Sequence, residues 1–251
     1  MMQTLTPLDG ALLVDKPVGP TSHDVVAAVR RRFDLKKVGH CGTLDPNATG
    51  LLVLVLGRGT KLAEKLMSDD KVYEGEIKFG VTTDSYDADG TVTATAPVPP
   101  LTLEQLNRWA AEFVGDLMQV PPMVSAVKKG GVPLYKLARK GLEVEREPRL
   151  VHIYRFRFLE YREPIGRFEL ACTKGTYVRS IAHEIGQKAG CGAHLATLRR
   201  VQSGNFHVRD ATPLDRVLQW SKEELERHVI PLLQLAQAAG LFPPNPAQVR
   251  P

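Results

Sequence analysis

One carboxylate of this chain, Asp45, lies in a segment whose other residues restrict the backbone around it. The segment runs from Val38 to Leu56 and reads VGHCGTLDPNATGLLVLVL. Its glycines can adopt positive φ angles that other residues avoid, and Pro46 pushes Asp45 toward an extended conformation. A carboxylate presented by such a loop can attack a substrate or remove a proton from it. An ordinary turn is the alternative interpretation, because Asp-Pro and clustered glycines also mark turns.

The residues that follow the loop predict how it is anchored. Six consecutive apolar residues, from Leu51 to Leu56, have the length and β-branched content of a strand that is buried on both faces. We therefore expect the loop to be attached directly to the core.

The loop also matches a known pattern. From Gly39 to Gly50 the chain reads GHxGTLDPxATG, which resembles the catalytic segment of the TruB-type tRNA pseudouridine synthases. Cys41 and Asn47 depart from the residues usual there, and neither supplies the carboxylate. The resemblance implies that Asp45 is the catalytic residue and that His40 helps to hold the rearranged RNA loop.

An upstream motif, DKPxGxTS, begins at Asp15 and ends at Ser22. Its Pro and Gly predict a turn, and Thr21 or Ser22 can cap a helix. The buried face of that helix is predicted to carry Val25, Val26, Val29 and Phe33. The string resembles the opening motif of pseudouridine synthases, although the residues alone favour a connection without chemistry.

Alternation from Lys71 to Phe79 predicts a strand with Tyr73, Ile77 and Phe79 on one face. A structural tyrosine is one interpretation of Tyr73. The resemblance implies instead that it stacks on the target base, an interaction worth about 1 to 3 kcal/mol.

The acidic string TTDSYDADG, from Thr82 to Gly90, is not a calcium loop, because Ala96 occupies the position of the bidentate Glu. It resembles the family's TDxxDADG segment, which implies that Asp87 lies near the catalytic cleft. An Asx-rich turn is the alternative.

A second signature, KGTYVR, precedes a predicted helix with buried positions at Val178, Ile181, Ala182 and Ile185. The resemblance implies that Tyr177 packs against the flipped nucleotide and that Arg179 pairs with Asp45. Such a pair would keep the carboxylate ionised and oriented. Without the family, a core Tyr and a surface Arg would be the preferred interpretation.

The string CGAHLxxLRR, which ends at Arg200, resembles the family segment whose Leu, here Leu198, contacts the target nucleotide through its backbone. The alternative is a buried helix Leu beside phosphate-facing Arg199 and Arg200. Zinc is not expected, because a fourth ligand at finger-like spacing is missing for the candidate set of His183, Cys191 and His194.

Composition predicts a globular, cytoplasmic protein. The chain has 251 residues, of which 43% are hydrophobic, and no apolar run approaches the length of a membrane span. The N-terminus lacks a secretory pattern, and three separated cysteines suit a reducing compartment. The segment 121–162 has ten Lys or Arg against four Glu, which indicates a polyanion contact or a solvated basic face.

We expect a catalytic domain over residues 1–240 and a Pro-rich tail over 241–251, too short for the RNA-binding PUA domain of many relatives. Residues 121–150 resemble an inserted thumb that closes on RNA. Its matching positions are Pro121, Pro122, Ser125, Ala126, Lys128, Gly131, Tyr135, Ala138, Arg139 and Gly141.

Together the motifs imply an α+β fold, with a mixed, largely antiparallel sheet flanked by helices and a central catalytic cleft. The implied activity is isomerisation of uridine 55 in the TΨC arm of tRNA to pseudouridine, by base flipping and without metal or cofactor. We expect a monomer that binds the T arm. The alternatives are a non-catalytic tRNA-binding chaperone and, less favoured, a metal-dependent RNA hydrolase using Asp45, Asp87 and Asp89.

Overall fold

The computed structural model describes residues 5–125, 127–134, 137, 141–142 and 144–241. Four predicted thumb positions lie outside the described residues: Ala126, Tyr135, Ala138 and Arg139. The predicted tail lies outside them too, except for Leu241.

Strands and helices alternate irregularly along the chain. The strands are β1 (Gly10–Lys16), β2 (Val38–His40), β3 (Ala48–Leu56), β4 (Lys71–Phe79), β5 (Val81–Thr83), β6 (Val92–Thr95), β7 (Gly115–Gln119), β8 (Lys128–Lys129), β9 (Val132–Pro133), β10 (Arg149–Arg162), β11 (Ile165–Cys172), β12 (Ala193–Ser203), β13 (Phe206–His207), β14 (Thr212–Pro213) and β15 (Ile230–Pro231). The α-helices are α1 (Ser22–Arg32), α2 (Ala63–Met67), α3 (Leu103–Ala111), α4 (Val178–Lys188), α5 (Leu214–Val217), α6 (Lys222–His228) and α7 (Leu232–Ala238). Short 3-10 helices cover Gly57–Leu62 and Val208–Asp210.

The chain divides into two compact units. The first comprises Met1–Asp69 and Arg199–Pro251. In it β3 pairs antiparallel with β1 and β2, while β1 also pairs parallel with β14 and antiparallel with β15. Leu51 to Leu56 are at most 1% exposed, which confirms the strand predicted to be buried on both faces. The strand begins three residues earlier than predicted, at Ala48.

The second unit comprises Asp70–Leu198. Its sheet places β11 between β4 and β10, and β10 also pairs with β7, all antiparallel. The core combines apolar residues of these strands with residues of α3 and α4: Ile77, Phe79, Leu106, Ala110, Phe158, Phe168, Ile181 and Ile185. The helix face predicted from the spacing of Val178, Ile181, Ala182 and Ile185 is therefore confirmed.

The prediction of an α+β fold with a largely antiparallel sheet is confirmed, since the strand pairs named above are antiparallel except for β1 with β14. The long strand β12 contributes to both units, because the division falls between Leu198 and Arg199. No described helix is long and apolar enough to span a membrane.

Candidate active site

Asp45 lies half-buried in the loop between β2 and β3. The loop turns at Pro46 and Asn47, and the Ala48 N–H donates to the Asp45 carbonyl at 3.1 Å. Because Ala48 is the first residue of β3, the carboxylate is only three residues from a strand that is buried at every position except Thr49. Its position is thereby tied to the core of the first unit.

Lys16, the last residue of β1, holds the C-terminal side of this loop. Its side chain is buried, and its ammonium donates to the carbonyls of Pro17, Pro46 and Ala48 at 3.0, 3.0 and 2.6 Å. Hydrogen bonds from a charged donor are stronger than neutral ones, and burial strengthens them further. The backbone that follows Asp45 is therefore firmly held.

Ser22 holds the N-terminal side. The Leu44 N–H donates to Ser22 Oγ at 2.8 Å, and this hydroxyl lies 3.1 Å from the Leu44 carbonyl, to which it donates. Ser22 is the first residue of α1, whose N-cap is Thr21 with a capping box to Asp24. The DKPxGxTS motif therefore does more than connect a strand to a helix, because its Lys and Ser fix the backbone on both sides of Asp45.

Arg200 closes the loop from a third direction, and the interpretation of it as phosphate-facing is wrong. Its side chain is 1% exposed, with Nε donating to the Leu51 carbonyl at 2.8 Å and Nη2 to the Gly42 carbonyl at 3.0 Å. Gly50 is required beside it, because a Cβ there would lie 2.3 Å from the Arg200 carbonyl and the residue has a φ of 97°. Arg199 forms two bonds to the Asp15 carboxylate, at 3.0 and 2.6 Å.

His40, on β2, is half-buried. Burial lowers the pKa of its imidazole, and the nearby Arg200 charge lowers it further. Among the described residues, its Nδ1 has no hydrogen-bond partner. The side chain is therefore a neutral imidazole near neutral pH.

In the second unit, Arg179 lies in the first turn of α4 and is 5% exposed, so it is not a surface Arg. Its guanidinium donates to the carbonyls of Ser85 and Val124 at 3.2 and 2.8 Å, and Nη1 lies 3.5 Å from the Asp87 carboxylate. The structure thus brings together two predicted site residues, Arg179 and Asp87. The pairing of Arg179 with Asp45 stays a prediction.

Asp87 forms the Asx turn given as its alternative interpretation, and its place near the catalytic cleft stays a prediction. Its Oδ1 accepts from the Asp89 N–H at 3.1 Å and from the Ser85 hydroxyl at 2.5 Å, as an Asx turn does. Its other oxygen faces Arg179. Because Asp87 is buried, the turn places its side chain in the interior of the unit.

Tyr177 is the residue that precedes α4, and a side chain not predicted from the sequence holds its backbone. Gln119, at the end of β7, accepts from the Tyr177 N–H at 2.7 Å and donates to the Tyr177 carbonyl at 3.1 Å. The signal available in the sequence was the position of Gln119, which directly precedes the thumb-like string VPPMVSA.

Tyr73 and Leu198 are half-buried and pack against the core of the second unit. Tyr73 lies on the face of β4 that also carries Ile77 and Phe79, as predicted. Leu198 lies in the strand β12, so the alternative of a helix Leu is wrong.

The residues of the zinc candidate make other contacts. His183 stacks on Tyr86 with ring centroids 4.0 Å apart, and His194 Nδ1 lies 2.9 Å from the Val81 carbonyl. Within the described part of the chain, no group of three or more His, Cys, Asp or Glu is placed to hold a metal ion.

Comparisons with known proteins assign the class. Residues 30–178 match the N-terminal domain of the TruB family of pseudouridylate synthases, and residues 179–236 match the tRNA pseudouridylate synthase B C-terminal domain. The class is therefore that of the pseudouridine synthases, which are isomerases. The chain belongs to the TruB family of these enzymes.

Individual relatives agree with this assignment. The tRNA pseudouridine synthase B of Opitutus terrae is 52% identical over 94% of this chain and 98% of its own length. The protein of the same name from Syntrophotalea carbinolica is 45% identical, with 94% and 76% covered. A solved Cbf5-Nop10-Gar1 complex contains a similar fold, with a TM-score of 0.73 and 27% identity. That match covers 92% of this chain but 63% of the other.

Proposed function

We propose that this enzyme converts uridine 55 in the TΨC arm of tRNA to pseudouridine, with Asp45 acting on the ribose. The observation that carries the proposal is the loop geometry: Asp45 stands in the family's catalytic segment, and Lys16 and Ser22 hold the backbone on both of its sides. The names of the relatives support tRNA as the substrate.

The proposed reaction requires little more than a positioned carboxylate. The bond from N1 to C1′ breaks, the uracil rotates while it stays bound, and a new bond forms from C5 to C1′. The proton on C5 is lost and N1 gains one, so the product is an isomer of the substrate. The reaction is redox-neutral and transfers no external group, which is why we propose a mechanism without a cofactor.

The target uridine has to leave its helical stack, at a cost of a few kcal/mol. Tyr73 is proposed to stack on the extruded base, which would offset about 1 to 3 kcal/mol of that cost. Tyr177 would pack against the nucleotide and the Leu198 backbone would contact it. The partial burial of Tyr73 and Leu198 against one core supports this assignment, since a stacking ring must keep a fixed orientation.

Arg179 is proposed to orient Asp45 through parallel hydrogen bonds. A guanidinium is planar and stays charged at all relevant pH values, so it can orient a carboxylate without competing for the reacting proton. In its own unit Arg179 is fixed by Asp87 and by two carbonyls, and this fixed plane supports the assignment.

For RNA contact we propose the basic segment 121–162, including the thumb of residues 121–150, in the cytoplasm. The structure limits the contribution of β10. Arg155 and Arg157 both contact the Glu169 carboxylate, and Arg162 lies 2.6 Å from Glu160. Because these charges are partly paired, most of the phosphate attraction is assigned to residues 121–149.

The test is a reaction of the purified enzyme with unmodified tRNA that carries tritium at C5 of its uridines. We expect release of one tritium per tRNA, and we expect mapping of the product to place pseudouridine at position 55. A tRNA with cytidine at position 55 is the control and should release none. Release from another position would overturn the assignment of the site. Binding without any release would overturn the activity and favour the chaperone.

A further inference from the structure

The helix that carries Arg179 begins without a cap of its own. The N–H groups of the first helical turn have no acceptor inside the helix. At α1 and α6 the side chains of Thr21 and Ser221 accept a hydrogen bond from such an N–H group as part of capping boxes. At α4 the N-cap residue is Tyr177, and within the described structure its side chain makes no capping hydrogen bond. The start of α4 therefore depends on groups from elsewhere.

Gln119 supplies an acceptor for one of these donors, the N–H of the N-cap residue Tyr177 itself, as the third helical residue does in a capping box. It is 5% exposed, and both ends of its amide bond to the backbone of Tyr177, at 2.7 Å for the N–H and 3.1 Å for the carbonyl. The chain after Gln119 adds two bonds to the same turn. The Val124 carbonyl accepts from Arg179 at 2.8 Å, and the Ser180 hydroxyl donates to the Val120 carbonyl at 3.4 Å.

We propose that Gln119 is a positioning residue for the isomerisation: it acts as an external cap that fixes the first turn of α4, and with it the Tyr177 ring and the Arg179 guanidinium. The proposal rests on the proposed function, because that function gives Tyr177 and Arg179 their roles. Opening of this turn would move both side chains, and a misplacement of about 1 Å can lower a rate by about 100-fold.

The same unit contains a matched control. Asn107, on α3, holds Phe158 in the same way, with Nδ2 donating to the Phe158 carbonyl at 3.0 Å and Oδ1 accepting from the Phe158 N–H at 2.9 Å. Phe158 lies on β10 and none of the site residues belongs to that strand. Loss of the Asn107 amide should therefore weaken the fold by a similar amount without touching the start of α4.

The experiment compares Gln119→Met with Asn107→Leu in two measurements. Hydrogen exchange of the amides of residues 177–183 should accelerate in Gln119→Met and stay at the wild-type rate in Asn107→Leu. The single-turnover rate at saturating tRNA should fall at least about 10-fold in Gln119→Met and stay within about twofold in Asn107→Leu. Affinity for tRNA should change less than about threefold in both, because neither amide is assigned to RNA binding.

Equal rates and equal exchange in the two variants would overturn the proposal. If Gln119→Met does not fold, Gln119→Glu takes its place in both measurements. Gln119→Glu keeps the acceptor for the Tyr177 N–H and loses the donor, and the helix N-terminus tolerates its negative charge. Its exchange should therefore be faster, and its single-turnover rate lower, than in wild type and Asn107→Leu, although neither effect should be as large as complete loss of the cap would give. If the wild-type enzyme forms no pseudouridine, the proposed function fails, while the exchange data still decide whether Gln119 is the cap.

Discussion

The loop that carries Asp45 and the helix turn that carries Arg179 are held by different kinds of contact. In the loop, the buried side chains of Lys16 and Ser22 bond to the backbone on both sides of Asp45. At the helix turn, the Arg179 guanidinium is itself bonded, to Asp87 and to two backbone carbonyls. The described contacts of Lys16 and Ser22 fix the backbone beside Asp45, whereas those at the helix turn fix the guanidinium of Arg179.

This difference suits the chemistry proposed for each residue. A carboxylate that attacks a substrate or takes its proton must change its bonding during the reaction, so support through the backbone does not compete with that change. An arginine stays cationic throughout and can be held by its own donors. Changes at the loop should therefore affect the chemical step, and changes at the helix turn should affect orientation.

The largest expected effect is that of Asp45→Asn, which keeps the size of the side chain and removes its charge. We expect tRNA binding within a few-fold of wild type and a rate lowered by at least about 10,000-fold, because the amide neither attacks nor accepts a proton effectively. Tritium release from C5 measures the rate and filter binding measures affinity. Asp116→Asn, at an exposed carboxylate of β7, is the control. Turnover by Asp45→Asn near the wild-type rate would remove the loop from the mechanism.

A test of the helix turn is Asp87→Asn, which removes the carboxylate that faces Arg179. We expect a rate loss of about 100-fold, since the guanidinium then loses this charged partner and its plane is less firmly fixed. Breaking a buried ion pair also leaves an uncompensated charge, which should cost about 3 to 5 kcal/mol of unfolding free energy. Asp84→Asn, at an exposed position of the same loop, is the matched control. Equal rates in the two variants would show that Asp87 does not orient Arg179.

Lys16→Met, which removes the ammonium that bonds to the loop carbonyls, should have a smaller effect on the rate. Three backbone carbonyls lose a charged donor, so we expect the unfolding free energy to fall by about 2 to 4 kcal/mol. The rate should fall about 10-fold, because Ser22 and β3 still hold the loop. Lys65→Met, on the exposed side of α2, controls for the loss of charge. A stable Lys16→Met variant with full activity would contradict the view that the Lys16 hydrogen bonds position Asp45.

Sequence patterns predicted the elements better than the contacts between them. Val25 and Val29 identified both α1 and its buried face, and the run from Leu51 to Leu56 identified the core strand. In each case a periodic or continuous apolar pattern specifies an element and its burial together. Asp45 and Arg179 were predicted as site residues through motifs, because local strings carry them, and their roles stay predictions.

The supporting contacts could not be read in the same way, since they join residues far apart in the chain. Gln119 and Tyr177 are 58 positions apart, and Lys16 and Ala48 are 32 apart. Arg200 shows most clearly that such contacts cannot be predicted from the local sequence. A charged residue in a basic string is usually solvated, and it is buried here only because the fold brings two carbonyls to its donors.

The smallest expected effect is on the pH dependence of stability, to which the loop region and α4 contribute through different histidines. Burial lowers the pKa of His40 beside the loop and of His183 on α4, so both are neutral in the folded enzyme near pH 7. As the pH falls through 6.5, the ordinary value, the unfolded chain takes up protons first. The contribution of these two histidines to stability is therefore fully present above about pH 7 and declines as the pH falls toward 5.

Urea unfolding between about pH 5 and pH 8 measures this decline. His40→Gln should flatten it by removing the contribution of the loop region, and His183→Gln should flatten it by removing that of α4. Burial is the largest cause of the lowered pKa at both histidines; at His40 the charges of Arg200 and His23 lower the pKa further, while a backbone hydrogen bond to Gly42 raises it. An unchanged slope in His40→Gln would mean that the fold does not resist protonation of this imidazole beside the loop.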